Sequence, residues 1–261
     1  MDMGLKGKNV LVLASSKGLG KASAELYAKA GANVMITSRT EENLKKAAED
    51  IKKHAEGKVT WKCCDVSNPA ELESLIESTV QEFGGIDVLV NNAGGPPPGM
   101  FEELGDEEWE FAFQQNLMSV VRTVRLALPY LKESRGKIIN ITSISMKEPV
   151  DGLLLSNVFR MGTAGLAKTL SRELAQYGIL VNSIGPGRIA TERLVELDGK
   201  RAERLNTSPE EVRKETEAGI PLGRYGKPDE FASTVLFLGS SLNTYITGQM
   251  FLVDGGMSKA Y

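Results

Sequence analysis

The sequence has few of the residues that build metal centres or disulfide frameworks. Its 261 residues include one histidine and two adjacent cysteines, Cys63 and Cys64. Neighbouring residues of a strand point to opposite faces of a sheet, so we expect two separately packed thiols. This composition predicts no metal site and is typical of a protein in the reducing cytoplasm.

Long apolar runs and an excess of one charge are also missing. No run of about 18 apolar residues is present, which argues against a membrane span, and residues 1–9 lack the apolar core of a secretory signal. The formal net charge is −3 at pH 7, so nothing predicts electrostatic binding to nucleic acid or to an anionic membrane. We therefore expect a cytoplasmic protein without a nucleic-acid or membrane partner.

Strand-like and helix-like segments alternate along the whole chain. Seven short runs predict strands, at residues 10–13, 33–37, 59–63, 87–90, 137–141, 180–184 and 250–253. Such alternation predicts a parallel sheet with helices on both faces, because parallel strands need crossover connections. With no repeat or linker in sight, residues 1–261 are predicted to form one α/β domain, a doubly wound Rossmann-type fold with a seven-stranded parallel sheet.

The charged segment at residues 191–219 is longer than an ordinary connection. Insertions of this kind between a strand and a helix often serve as active-site lids. A pair of solvated surface helices would have the same composition; the lid is the favoured interpretation.

A turn of small residues follows the first predicted strand and leads into a helix. It reads Leu13-Ala14-Ser15-Ser16-Lys17-Gly18-Leu19-Gly20. A helix N-terminus attracts phosphate, and small residues let the backbone approach a pyrophosphate closely. Cofactor contacts are expected from Ala14, Ser16, Lys17, Gly18 and Leu19.

The second predicted strand runs into Ser38 and Arg39 rather than into a carboxylate. An acidic residue at this place suits the ribose 2′-hydroxyl of NAD, whereas an arginine suits a 2′-phosphate. Arg39 and Lys17 together favour NADP(H) over NAD(H).

These motifs, with those of the later strand ends, resemble the short-chain dehydrogenase/reductase family along essentially the whole chain. In the family the first turn is Thr-Gly-x-x-x-Gly-x-Gly, and here Leu13 and Ala14 replace its first two residues. Alanine fits if that position does not need a positive φ. The closest branch is that of the 3-oxoacyl-carrier-protein reductases, which implies a homotetramer or homodimer and a small-molecule or acyl-carrier-linked substrate.

The resemblance assigns further residues to the site. It implies that Asp65 and Val66 contact the adenine and that Asn116 belongs to a proton relay. It also implies that Ser143 binds the substrate oxygen. The wall of the cofactor pocket would be formed by Asn92, Ala93 and Gly94, and the loop on the nicotinamide side by Pro186, Gly187, Ile189 and Thr191.

The family's catalytic Tyr and Lys are replaced. Thirteen residues after Ser143, where the Tyr is expected, stands Ser156, and four residues later stands Arg160. No tyrosine occurs between positions 131 and 176. Spacing of four places Ser156 and Arg160 on one helix face, and Arg160 is expected to bind the nicotinamide ribose in place of Lys.

An aliphatic hydroxyl is much less acidic than a phenol, whose pKa is about 10, so Ser156 is a poor general acid. The leading hypothesis is an NADP(H)-dependent oxidoreductase with a modified proton relay. Its proton would come from a water beside Asn116 and Ser143, or from Lys147, Glu148 or Asp151. Two alternatives stay open: a non-catalytic nucleotide-binding sensor or oligomer partner, and a lyase-like or isomerase-like reaction on the same fold.

Overall fold

Seven parallel strands form one sheet in the computed structural model, which describes residues 2–260. They are β1 (Asn9–Val12), β2 (Asn33–Ser38), β3 (Val59–Cys63), β4 (Val88–Asn91), β5 (Lys137–Ile141), β6 (Leu180–Pro186) and β7 (Met250–Val253). Their order is β3-β2-β1-β4-β5-β6-β7, and every neighbouring pair is parallel. The predicted doubly wound fold is confirmed, with strand ends within about two residues of those expected from the pattern.

The α-helices of the described residues cover both faces of the sheet. They are α1 (Gly18–Lys29), α2 (Glu41–Lys52), α3 (Pro69–Phe83), α4 (Asp106–Phe113), α5 (Ser119–Ser134), α6 (Leu154–Glu173), α7 (Glu192–Leu205), α8 (Pro209–Ala218) and α9 (Pro228–Gly239). Buried side chains of α1, α2 and α9 form one apolar layer, and those of α3, α5 and α6 form the other. Within residues 2–260, none of the helices has the length and apolar character needed to cross a membrane.

The two cysteines lie on opposite faces of the sheet. Cys63 packs against the layer of α1, α2 and α9, whereas Cys64 belongs to the layer of α3, α5 and α6. Burial raises the pKa of the Cys64 thiol to about 12, so this thiol stays protonated at neutral pH. Both are free, as expected for two separately packed thiols.

The strand order reverses between β1 and β4, because β2 and β3 extend to one side of β1 and the later strands to the other. In open α/β sheets a ligand binds at the carboxyl ends of the strands beside such a switch point. The turn after β1 and the loop after β4 meet at this crevice, and the segments after β5 and β6 extend it.

Candidate functional site

The turn after β1 brings its backbone unusually close to the start of α1. Gly18 has a φ of +58°, in the left-handed region that glycine adopts without a steric cost. A Cβ on Gly20 would lie 2.5 Å from the Ala14 carbonyl oxygen and 2.8 Å from the Asn92 Nδ2 atom. The turn therefore accepts only glycine at position 20. Such a close approach of backbone to helix is what a pyrophosphate-binding turn needs.

Ala14 has a φ of +46°, so the condition under which alanine would fit freely is not met. A non-glycine residue in the left-handed region costs about 1–2 kcal/mol. The Ala14 carbonyl is held in place by the Asn92 side chain, whose Nδ2 donates to it across 3.1 Å. The turn thus holds a left-handed alanine at position 14, at the expense of local strain.

Lys17 and Arg39 both lie exposed at the rim of this crevice. The Lys17 Nζ atom is 3.6 Å from a carboxylate oxygen of Glu192, the first residue of α7. No carboxylate stands at the end of β2, which runs on through Arg39 into Thr40. Arg39 therefore brings a positive charge to the side where a 2′-phosphate would bind, whereas the charge of Lys17 faces Glu192.

The end of β3 shapes the next part of the crevice. The Asp65 carboxylate accepts hydrogen bonds from the Ser67 backbone N–H at 2.9 Å and the Ser67 hydroxyl at 2.7 Å. Its own N–H donates to Glu71 at 2.7 Å, and Val66 beside it is nearly buried. Asp65 is thus fixed by local bonds, with an apolar side chain next to it.

Asn116 lies in one π-helical turn, Gln114–Met118, that interrupts the path from α4 to α5. Such turns are frequent at functional sites because they change which side chains share a face. The side chains of Asn116 and Gln115 both donate to the Gly94 carbonyl, each across 2.8 Å. The turn therefore ties the loop after β4 to the helix that carries Asn116.

Three serines form a connected set after β5. The Ser143 hydroxyl oxygen accepts the Ser145 backbone N–H at 3.2 Å, and the Ser145 hydroxyl lies 3.1 Å from that of Ser156. Ser145 and Ser156 are both buried, whereas Ser143 is half-buried. Ser145 thus joins the two serines that sequence analysis assigned to the site.

Arg160 reaches back from α6 to the carboxyl ends of two neighbouring strands. Its guanidinium donates to the Ile141 carbonyl at 3.3 Å and to the Ala93 carbonyl at 3.2 Å. It is 6% exposed, and burial lowers its pKa to about 10. The group is charged at neutral pH and is compensated by carbonyl oxygens rather than by a carboxylate of the described chain.

A small cavity separates Arg160 from α5, with room for about one water molecule. Within the described part of the chain, three buried polar atoms of its wall lack a hydrogen-bond partner: Asn91 Oδ1, Asn116 Oδ1 and Arg160 Nε. Two acceptors and one donor around one space match the bonding capacity of a buried water.

The loop after β6 packs against the segment that follows β7. The Gly187 N–H donates to the Val253 carbonyl at 3.0 Å, and Ile189 pairs with Gly226. Thr191 then caps α7, its hydroxyl accepting the Leu194 N–H. Residues 191–219 fold into α7 and α8, and the 2.8 Å bond from the Tyr225 hydroxyl to buried Asp198 holds α7 at its base.

Glu148 is already occupied by other groups. One of its carboxylate oxygens accepts the Ser258 hydroxyl at 2.7 Å and the Lys259 N–H at 2.9 Å. These two donors hold the pKa of Glu148 below its ordinary value, so the side chain is ionised at neutral pH. An ionised carboxylate cannot donate a proton, which removes Glu148 from the alternative acids.

Sequence reasoning missed Ser145, Gln115 and Asn140. Asn140 accepts a 2.8 Å bond from the Asn91 side chain, and the two residues are in register on β4 and β5. Asn140 could have been found from its place one residue before the end of a buried strand. Ser145 and Gln115 carry no such signal, because their roles depend on a 3-10 turn and a π-helical turn.

Comparisons with known proteins place the whole chain among reductases. The family model described as "Enoyl-(Acyl carrier protein) reductase" matches residues 13–258. The 3-oxoacyl-[acyl-carrier-protein] reductase FabG of Thermotoga maritima is 34% identical over 98% of this chain and 99% of its own length. The FabG of Escherichia coli is 35% identical over 98% of this chain and 99% of its own length.

Solved structures show the same architecture. The L-sorbose reductase of Gluconobacter frateurii, complexed with NADPH and L-sorbose, superposes with a TM-score of 0.95 at 32% identity, covering 100% of both chains. An actinorhodin polyketide ketoreductase with NADPH superposes with a TM-score of 0.92 at 32% identity, covering 97% of both chains.

Fold, site and relatives together define an oxidoreductase of the Rossmann type. The chain belongs to the short-chain dehydrogenase/reductase family, and its relatives include 3-oxoacyl-carrier-protein reductases along its full length.

Proposed function

We propose that the protein is an NADP(H)-dependent carbonyl reductase whose substrate resembles a 3-oxoacyl thioester, with a proton relay that uses no tyrosine. The observation that carries the proposal is the hydroxyl set of Ser143, Ser145 and Ser156 beside the cradle formed by Gly20 and Asn92. In this proposal the half-buried Ser143 presents its hydroxyl to the substrate, while its oxygen is held by the Ser145 N–H.

The residues present fit a dinucleotide. Gly20 allows the close approach, Lys17 and Arg39 supply a basic rim, and three further groups line the crevice. These groups are Asp65 with Val66, Asn92 to Gly94, and the loop bearing Pro186, Gly187, Ile189 and Thr191. NADPH bound there supplies the hydride, and the protein supplies position and electrostatics. Reductases complexed with NADPH among the solved relatives support the choice of cofactor.

Ser143 is the residue that polarises the carbonyl oxygen, because its hydroxyl proton is free to donate while its oxygen accepts the Ser145 N–H. Ser156 orients Ser145 and so fixes the direction of that set. The charge on Arg160 favours the alkoxide that forms, although its N–H groups are turned to Ala93 and Ile141.

Water supplies the proton in this proposal. Ser156 is too weak an acid, and Glu148 is ionised. A missing general acid costs about 10²–10⁴-fold in rate, so turnover is expected to be slow. The cavity walled by Asn91, Asn116 and Arg160 has polar atoms that suit a water, and that water would have to reach the substrate past Ser143, which does not line the cavity.

Binding and turnover of the nicotinamide cofactor test the proposal. Calorimetric titration is expected to show tight NADPH and weaker NADH binding, and 3-oxoacyl thioesters are expected to consume NADPH slowly. Ser143→Ala should lower that rate by at least about tenfold without changing the NADPH Kd. Ser233→Ala, which removes an exposed serine hydroxyl of α9, is the matched control for the rate.

The second candidate is a nucleotide-binding protein that performs no reduction. The paired loss of Tyr and Lys, and the turning of Arg160 toward backbone carbonyls, favour it. Tight NADPH binding with no product from a broad panel of ketones, thioesters and activated alkenes would select it. Conversion of a substrate with NADPH absorbance unchanged would instead select lyase or isomerase chemistry.

The protein is also proposed to assemble as a homotetramer or homodimer. Phe111 of α4 and Val158 and Met161 of α6 are apolar side chains that are more than 40% exposed. Exposed apolar side chains on packed neighbouring helices are typical of a subunit interface. Light scattering at micromolar concentration tests this, and a monomer mass would exclude it.

A further inference from the structure

The segment after β7, residues 254–260, touches three separate parts of the site, and we call it the strap. It begins beside the loop after β6, where a Cβ on Gly187 would lie 2.5 Å from the Asp254 Cβ atom. Its turn is closed by Asp254, whose carboxylate accepts the Gly256 N–H at 2.9 Å and the Ser258 N–H at 2.8 Å. The strap is therefore an ordered turn and not a loose extension.

The middle of the strap is wedged against the base of the segment 191–219. The Gly255 carbonyl accepts the Leu222 N–H at 3.2 Å, and a Cβ on Gly255 would lie 2.9 Å from the Ile220 Cγ2 atom. Met257 packs on a cluster of Leu194, Ile220 and Tyr225. Leu194 lies in the first turn of α7, so the strap contacts both ends of the two-helix segment.

The far end of the strap holds the loop that follows Ser143. That loop, residues 144–153, carries Glu148, whose carboxylate accepts the Ser258 hydroxyl and the Lys259 N–H. Hydrogen bonds to an ionised acceptor are among the stronger ones in proteins. The same loop pairs with the segment after β4, because the Gly99 N–H donates to the Gly152 carbonyl at 2.9 Å.

We infer that the strap fixes the distance between the α7–α8 segment and the loop after Ser143, and that Glu148 and Ser258 are positioning residues that set substrate affinity. The inference rests on the proposed function, since it takes the space between these two walls to be the substrate entrance. The side chains of Glu148 and Ser258 bond to each other and not to the cofactor cradle, so removing this tether should act on the substrate and not on NADPH.

The test compares Glu148→Ala and Ser258→Ala with a matched control, Lys259→Ala. Lys259 contributes only its backbone N–H to the tether, so removing its side chain leaves the two bonds in place. Glu148→Gln is the rescue variant, because a single amide oxygen can accept both donors without the charge. All four are measured beside the wild type for NADPH Kd, urea midpoint, kcat and KM.

Both alanine variants are expected to raise the KM for 3-oxoacyl thioesters about fivefold to tenfold, with kcat changed less than about twofold and the NADPH Kd unchanged. Glu148→Gln is expected to fall between them and the wild type, and Lys259→Ala to match the wild type. If kcat and the urea midpoint both fell while KM stayed unchanged, the two residues would have a merely structural role. That result would overturn the inference.

A second readout does not depend on turnover. The α7–α8 segment contains Lys200 and Arg204, which trypsin can cut once the segment detaches. Both alanine variants should be cleaved there about fivefold faster than the wild type, and Lys259→Ala at the wild-type rate. If the cleavage rate is unchanged, the strap does not hold the α7–α8 segment, even if the protein reduces a substrate. If cleavage is faster but no substrate is reduced, only the proposed function is rejected.

Discussion

The two halves of the cleft are held together by different kinds of contact. On the cofactor side, the turn after β1 is fixed by the close approach of backbone to Gly20 and by one bond from Asn92 to Ala14. On the catalytic side, side-chain hydroxyls on a short turn and on α6 form the set. The backbone packing at Gly20 leaves no room for a side chain, whereas hydroxyl contacts can be rebuilt from other side chains. We therefore expect substitutions at Gly20 to be far more disruptive than those among the serines.

The largest expected effect is the loss of the cofactor side by Gly20→Val. The added side chain would enter the space of the Ala14 carbonyl and the Asn92 amide, so the turn must open. NADPH affinity should fall by more than about 100-fold, from the loss of several backbone contacts to phosphate. Calorimetry measures it.

Gly165→Ala is the matched control for that experiment, because a Cβ there meets nothing within 4 Å and the residue lies inside α6. It should leave NADPH binding unchanged and raise stability by about 0.5–1 kcal/mol. Comparable NADPH binding by Gly20→Val and wild type would show that the turn is not the phosphate site.

Restoring a phenol is expected to have the next largest effect, and it acts mainly on the proton relay. The double variant Ser156→Tyr with Arg160→Lys should raise the rate of ketone reduction by about 10²-fold, since it returns a tunable acid and its partner cation. Ser156→Phe with Arg160→Lys carries the same ring without the hydroxyl and should show no gain. A gain shared by both variants would trace the effect to shape, not to proton transfer.

The base of the α7–α8 segment gives a pH-dependent prediction. Burial, and then the hydrogen bond to Asp198, raise the pKa of Tyr225 above its ordinary value near 10. The protonated phenol is therefore favoured in the fold, and its stabilisation is present below pH 10 and lost as pH rises through the folded pKa. At pH 8, Tyr225→Phe should lower the free energy of unfolding by about 1 kcal/mol. Above pH 10, the stability of this variant should fall less with rising pH than that of the wild type.

Urea unfolding at several pH values measures the difference between the two proteins. The difference cancels contributions from other tyrosines, including buried Tyr27, whose pKa is also raised by burial. If the two curves run parallel through pH 11, the bond to Asp198 contributes no pH dependence.

The smallest effect concerns the strain at Ala14. Ala14→Gly should raise the free energy of unfolding by about 0.5 kcal/mol, because the relief of the Cβ clash at a φ of +46° outweighs the larger entropy of glycine in the unfolded chain. Ala30→Gly is the control: Ala30 has a φ of −82°, so glycine there should lower stability by about 0.5–1 kcal/mol. A loss of stability in both variants would show that Ala14 carries no strain.

The fold was predictable because buried strands and phosphate turns depend on patterns local in the chain. The strands at 59–63 and 137–141, for example, were predicted to the residue. The φ of Ala14 was not predictable, because it follows from the packing of Gly20 and Asn92 against the turn. The direction of Arg160 was not predictable either, since it depends on which carbonyls at the ends of two strands lack partners. Long-range packing, and not propensity, decides both.

Arg160 also constrains how this site could change over evolutionary time. Its guanidinium ties the Ala93 and Ile141 carbonyls, so it serves the sheet as well as the cleft. If Arg160 alone were replaced by lysine, one ammonium group would have to serve both the Ala93 and the Ile141 carbonyls. Without a tyrosine at position 156, this change would bring no general acid. A change to lysine at position 160 alone is therefore expected to cost stability, so this helix can acquire the Tyr and Lys pair without that cost only if further changes compensate for the lost guanidinium.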